Sequence, residues 1–313
     1  MYRTLAISLT QKCNAKCEMC CFSCGPNKTM NLSKDEVFRL IDQCEGTTIK
    51  MISFSGGEAF LDIELLMESI EYAKSKGFNV SVISNGFWGR NKARVTTIVK
   101  RLKDLKLDEL SLSVDEFHQH YIPINSIKNI LEITREFNIP TSVGFGITKK
   151  YMAGKFIDEL AELLINTRIT IYPIIPVGDA KINLDQDDYF YMNDVADMHC
   201  PNRGIMSILF DKNFYPCCSQ VILDANLDVA NINDTSVSEA IALCQSNIYL
   251  FIMKHKSLTW YYNVIKENNL ADIPEVFTTP CDFCQFLFSN DGLLQKIKPF
   301  VEHEINEIIK NKK

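Results

Sequence analysis

Hydrophobic positions follow two alternating periods over roughly the first 177 residues. Short apolar runs read as strands: LAISL (5–9), KMISFS (50–55), VSVIS (80–84), ELSLSV (109–114), TSVGFGI (141–147) and ITIYPII (169–175). Between them the apolar residues recur with helical spacing. Ser33 and Glu36 are spaced as a capping box. Asp62 can cap a helix that runs to about Lys76 and stops at Gly77. Further helices are expected near 92–103, 125–137 and 154–165. Six strands, each followed by a helix or crossover, predict an α/β fold with a parallel sheet and helices outside it. Six units are too few for a closed eight-unit barrel, so a partial (β/α)6 barrel is the economical expectation.

Beyond about residue 180 the alternation stops. SILFDKNFYPCC (207–218) predicts a β-hairpin turning at Asp211-Lys212-Asn213, and helices are expected at 236–246, 248–268 and 299–311. This divides the chain into a barrel at 1–195 and a smaller α+β domain at 196–313, with no flexible linker between them. The aromatic segment IYLFIMKHKSLTWYYNVIK (248–266) is expected to face a core, with a peptide groove as the alternative.

Charge and targeting narrow the function. The 313 residues carry 33 Lys+Arg against 39 Asp+Glu, a formal charge of −6. A mildly acidic chain without basic runs is a poor nucleic-acid or membrane-surface binder. The N-terminal apolar stretch is too short for a signal peptide and no run approaches a membrane span, so a cytoplasmic protein is expected.

In a reducing compartment the 12 cysteines point to metal or catalysis and not to disulfides. Five of them crowd QKCNAKCEMCCFSCGPN (11–27), in two overlapping copies of one spacing: Cys13-x3-Cys17-x2-Cys20 and Cys17-x3-Cys21-x2-Cys24. Three thiolates in a short loop can hold three irons of a 4Fe–4S cluster and leave the fourth open to a ligand. A zinc site or a redox-sensing cluster fits the spacing as well.

The spacing resembles the signature of the radical S-adenosylmethionine (SAM) superfamily. The first register matches that pattern better, with Asn14 after Cys13 and Met19 before Cys20. The resemblance therefore implies Cys13, Cys17 and Cys20 as ligands of a SAM-binding 4Fe–4S cluster and leaves Cys21 and Cys24 free. It extends to Ser55, Gly56, Gly57 and Glu58 after the second strand, a turn that meets the SAM amino group in the family. It also covers Ser84 and Asn85 after the third strand and Ser113 and Asp115 after the fourth, which serve the methionyl carboxylate and the ribose. IYPIIPVGDA, including Val177, matches the family's adenine-contacting sixth strand. His118, just after the fourth strand, is a further candidate for SAM or substrate contact.

The second group, Cys200, Cys217, Cys218, Cys281 and Cys284, resembles the shortened auxiliary-cluster domain of radical SAM enzymes that modify peptides. The combination of CPNR (200–203), FYPCCS (214–219), NGFWG (85–89), WYYNVIKENN (260–269) and CDFCQFLFSN (281–290) resembles the radical SAM peptide epimerases. The resemblance implies Cys200, Cys217, Cys281 and Cys284 as ligands of a second, auxiliary 4Fe–4S cluster. It implies Cys218 as the thiol that returns hydrogen to a Cα radical of a ribosomally made precursor peptide. An electron donor such as flavodoxin or ferredoxin is then required. Only twelve residues precede Cys13, so no fused leader-recognition domain is expected. Thioether formation between a peptide Cys and a Cα is the rival chemistry, and a non-catalytic iron–sulfur or zinc redox sensor is the rival from outside enzymology.

Overall fold

The computed structural model describes residues 1–192 and 194–311. Six parallel strands form as the periodicity requires: β1 (Thr4–Ser8), β2 (Met51–Ser55), β3 (Asn79–Ser84), β4 (Glu109–Ser113), β5 (Thr141–Ile147) and β6 (Arg168–Pro173). Helices α1 (Lys34–Gln43), α2 (Ile63–Ser75), α3 (Lys92–Asp104), α4 (Glu116–Gln119), α5 (Ile124–Glu136) and α6 (Gly154–Leu160) join them, and α7 (Gly178–Asn183) follows β6. Together they make the expected partial barrel. Ser33 and Glu36 make the expected capping box at α1, and Asp62 caps α2 through Leu65 N. The helix expected over 154–165 stops at Leu160 and tightens into a 3₁₀ turn over Ala161–Leu164.

Side-chain alternation decides what the barrel is for. On the outer face, residues such as Ile7, Phe54, Val82, Leu112 and Phe145 are buried against the helices. Each fully buried side chain of this kind contributes about 1.5–3 kcal/mol. The inner face carries Ala6, Ser53, Ser55, Ser111, Ser142 and Gly144 instead, and these line a cavity. A closed barrel fills its bore with bulky branched residues. Small residues here leave the bore open.

The C-terminal region departs from expectation in one respect that matters. The hairpin forms as β7 (Ile205–Ile208) and β8 (Asn213–Tyr215), turning at Lys212 with φ +69°. However, β7 also pairs in parallel with β1, aligning Ala6 with Ser207. The sheet order is β6-β5-β4-β3-β2-β1-β7-β8-β9, where β9 is Ala230–Asn231. The division expected at 195/196 therefore runs through one sheet, and Met206, Ile208 and Phe214 share the core cluster of β1 and β2.

Five helices complete the chain: α8 (Val237–Ser246), α9 (Ile248–Lys256), α10 (Leu258–Glu267), α11 (Pro280–Phe288) and α12 (Asp291–Lys310). The single helix expected over 248–268 breaks at Ser257, which has φ +89°, and Leu258 N donates to Met198 O across the break. Ile252, Leu258, Tyr261 and Ile265 are buried, so this segment faces a core. The last helix begins eight residues before the expected 299, because Asn290 caps it and Pro299 is accommodated within it. Among the described residues no helix is long and apolar enough to cross a membrane.

Candidate active site

The loop after β1 is held by its neighbours' backbones. Gly57 N donates to Thr10 O at 2.5 Å and Glu58 N to Lys12 O at 3.0 Å, so the Gly-Gly-Glu turn lies directly on the cysteine loop. A Cβ on Gly57 would stand 2.7 Å from Gln11 O and closer still to Lys12 O. On the other side Gly178, at φ +53°, presses on the carbonyls of Cys20 and Cys21, and Asp179 N donates to Cys20 O at 3.0 Å. The two glycines grip the loop by close approach.

A cavity of about 480 Å³ opens beneath this loop, within the usual range for a small-molecule site. Its walls include Cys13, Cys17 and Cys20, with Cys21 and Cys24 beside them. Ser55, Gly56, Gly57, Ser84, Asn85 and Ser113 line it from the ends of β2, β3 and β4. Tyr172, Ile174 and Gln220 lie on its far side, as does Cys218. Residues more than 200 positions apart thus meet around one space.

Three expected cofactor contacts sit elsewhere. Glu58 is buried and outside the lining, and its carboxylate accepts from Phe60 N (3.0 Å), Ser84 Oγ (2.9 Å) and Asn85 N (2.7 Å). Burial raises its pKa to about 7 despite those donors. The structure gives it the work of tying the β2 turn to the β3 end. Asp115 is also buried; it caps α4 through His118 N and holds the His118 ring at 2.8 Å from both carboxylate oxygens. His118, not Asp115, reaches the cavity. Burial alone would lower the imidazole pKa, but the Asp115 charge outweighs it and the value is raised. Val177 is fully buried in a core, and Ile174 is the apolar residue of that segment that meets the cavity. Trp88 stacks on Phe60 at 4.7 Å and donates to Ser84 Oγ, plugging its own loop.

The thiols differ in environment. Burial pushes the Cys13 pKa up to about 12 and raises Cys17 as well. Hydrogen bonds from Cys24 lower the Cys20 value. Cys24 N lies 3.3 Å from Cys20 Sγ, so Cys24 is engaged and not idle.

Cys281 and Cys284 sit one turn apart on α11, a helix that the sequence reading passed over. Thr279 caps it and Pro280 occupies its first turn. Burial raises the pKa of Cys200, Cys217, Cys281 and Cys284. Charge on the neighbouring thiols adds to these rises: Cys218, Cys200 and Cys281 act on Cys217, and Cys217, Cys281 and Cys200 on Cys284. Cys217 and Cys218 part company at this point. Cys217 is packed against the C-terminal core, whereas Cys218 is exposed to the cavity. The Ser207 hydroxyl donates to Cys217 O and fixes that segment on β7.

Two observations test whether the expected groups fit. Ser8 Oγ is buried in the cavity wall and has no partner among the described residues, which calls for a polar ligand. Among the described residues no three His, Cys, Asp or Glu side chains converge on a single-ion site. A 4Fe–4S cube asks for thiolates at separate corners, one per iron, and both cysteine groups supply buried thiols of the required softness. Ser8 carried no motif, and only its place at the mouth of β1 marks it.

A family model described as the radical SAM superfamily matches residues 7–152. The chain is similar over 316 aligned residues to a putative peptide biosynthesis protein, YydG, of Bacillus subtilis (strain 168), with 34% identity covering 98% of this chain and 99% of that one. GTP 3′,8-cyclase of Campylobacter curvus (strain 525.92) is 28% identical over 169 residues, covering 51% of this chain and 50% of that protein. Among solved structures, native anSMEcpe with bound AdoMet shares the fold at a TM-score of 0.58 and 14% identity, covering 97% of this chain and 99% of that one. The order of strands, the cysteine loop at the end of β1 and a relative matched from end to end agree: the chain belongs to the radical SAM superfamily.

Proposed function

We propose that the protein inverts Cα centres in a ribosomally made peptide, with Cys218 as the hydrogen donor. The superfamily's cofactors are a 4Fe–4S cluster and SAM, and Cys13, Cys17 and Cys20 are the ligands this chain offers that cluster. When bound, the reduced cluster and SAM supply a 5′-deoxyadenosyl radical, which takes a hydrogen atom from the substrate. The observation that carries the reading is that Cys218 shares the cavity with those three cysteines while its neighbour Cys217 does not.

The chain's own groups account for the remainder. Cys217 packs on the C-terminal core and can join Cys200, Cys281 and Cys284 around a second cluster, while Cys218 lines the cavity where substrate would bind. Desolvation raises the Cys218 pKa, which keeps the thiol protonated at neutral pH, the form that can give up a hydrogen atom. The S–H bond breaks as the new Cα–H bond forms on the opposite face, leaving a thiyl on Cys218. One electron from a flavodoxin- or ferredoxin-type donor and one proton from solvent restore the thiol. The peptide substrate draws support from the whole-chain similarity to a putative peptide biosynthesis protein.

Turnover in deuterated water with a candidate precursor peptide tests the proposal. Epimerisation predicts one added mass unit at an inverted Cα. Cys218→Ala should lose that product and keep 5′-deoxyadenosine formation. Loss of two hydrogens from the peptide would mean thioether closure instead, and absence of SAM cleavage would mean neither.

A further inference from the structure

Asn85 lines the cavity, but its side chain is committed to the cysteine loop. Phe87 N donates to Asn85 Oδ1 at 3.0 Å. A backbone N–H meets only an acceptor, so this bond fixes which end of the carboxamide is oxygen and turns Nδ2 the other way. The two hydrogens of Nδ2 then have two acceptors: Asn14 Oδ1 at 3.0 Å and Cys13 Sγ at 3.6 Å. The backbone is pinned as well, because Asn85 N donates to the buried Glu58 carboxylate at 2.7 Å. The residue is only 5% exposed.

The three expected cluster thiols are unequally served. Cys13 Sγ accepts from Ala15 N at 3.4 Å and from Asn85. Cys20 Sγ accepts from Cys24 N at 3.3 Å. The bonds to Ala15 and Cys24 are local turns of the loop itself. Asn85 is different, since it arrives from the end of β3, 72 positions away, and couples the loop to the barrel.

We propose that Asn85 donates a hydrogen bond to the thiolate of Cys13 and thereby raises the reduction potential of the cluster bound there. It is a positioning and tuning residue in place of a SAM contact, and the proposal rests on the reading of Cys13, Cys17 and Cys20 as ligands. Hydrogen bonds to the sulfurs are one of the determinants of iron–sulfur potentials. A donor withdraws charge from the thiolate and favours the reduced, more negative cluster. Asn14 aims the donor, and the Glu58 carboxylate holds its backbone.

The test is an EPR-monitored redox titration of the anaerobically reconstituted full-length protein, following the signal that changes when SAM is added. Iron and sulfide content and SAM affinity are measured on the same samples. Asn85→Ala should shift the midpoint of that signal to lower potential with iron content and SAM affinity retained. Asn85→Asp keeps the shape and the Phe87 bond but lacks the donor, and should shift it the same way if the alanine variant does not hold its cluster. Asn14→Ala, which leaves the donor but loosens its aim, should give a smaller shift of the same sign. A midpoint equal to wild type in Asn85→Ala or Asn85→Asp overturns the proposal. So does weakened SAM binding at an unchanged midpoint, which would make Asn85 a cofactor contact. Failure of the underlying reading looks different: the wild type itself would show no SAM-responsive signal.

Discussion

Replacing Gly57 by alanine should dislodge the cysteine loop. The new Cβ would meet two backbone carbonyls, Gln11 O at 2.7 Å and Lys12 O nearer still, and neither can rotate away as a side chain could. Overpacking of this kind costs about 1–3 kcal/mol. Relieving it means parting the turn from the loop, which breaks the Gly57–Thr10 and Glu58–Lys12 hydrogen bonds at roughly 1 kcal/mol each. The sum is about 3–5 kcal/mol, a large part of an ordinary stability margin of about 5–15 kcal/mol. At roughly 2 °C per kcal/mol for a chain of this size, the metal-free protein should melt about 6 °C lower or more, read by circular dichroism. Iron and sulfide retained after reconstitution should fall with it. Gly25→Ala is the matched control in the same loop, because nothing lies within 4 Å of its added Cβ. A Gly57→Ala protein with wild-type melting and full iron would refute the account of why this turn carries glycine.

Three further outcomes follow from the site. Cys217→Ala should lose about half the reconstituted iron while Cys218→Ala keeps it, and equal losses in the two would contradict the opposed facing of those thiols. Glu58 has a folded pKa of about 7 against an ordinary value of 4.5, so its contribution is fully present below pH 4.5 and is lost as pH rises to about 7. At 1.36 kcal/mol per unit this is on the order of 3 kcal/mol; Glu58→Gln should flatten that slope in urea melts of the metal-free protein, and an unchanged slope would assign the effect elsewhere. Ser8→Ala should leave the ligand-free protein as stable as wild type or more so by roughly 1–2 kcal/mol, since it removes an unpartnered buried hydroxyl, and a lower melting temperature would show that Ser8 has a partner.

Strand positions were legible because alternation is a local property: β5 falls on the expected residues and the other five begin and end within two. Capping at Ser33 and Asp62 was equally local. The α11 helix was missed although Thr279 and Pro280 announce it, because CDFC was read for its chemistry and not for its backbone. The break at Ser257 has no glycine to mark it and depends on a contact with Met198. The candidate site was legible as a set of strand ends. What could not be read was which side chains turn inward. Glu58 and Asp115 look like ligands in sequence, but Glu58 is consumed by donors that tertiary structure brings from the end of β3, and Asp115 by His118 three residues on. Pairing of β7 with β1 likewise joins residues about 200 apart.

That pairing fixes how far apart the two cysteine groups sit. The cysteine loop leaves the end of β1, and Cys217-Cys218 leave the end of β8, two ladder rungs across the same sheet. Their separation is therefore a matter of strand spacing and pleat, with no hinge to tune and no docking equilibrium to satisfy. Sliding the last hairpin by a single residue would exchange the faces of β7 and β8, so which side chains meet the bore is set by a pattern of backbone hydrogen bonds.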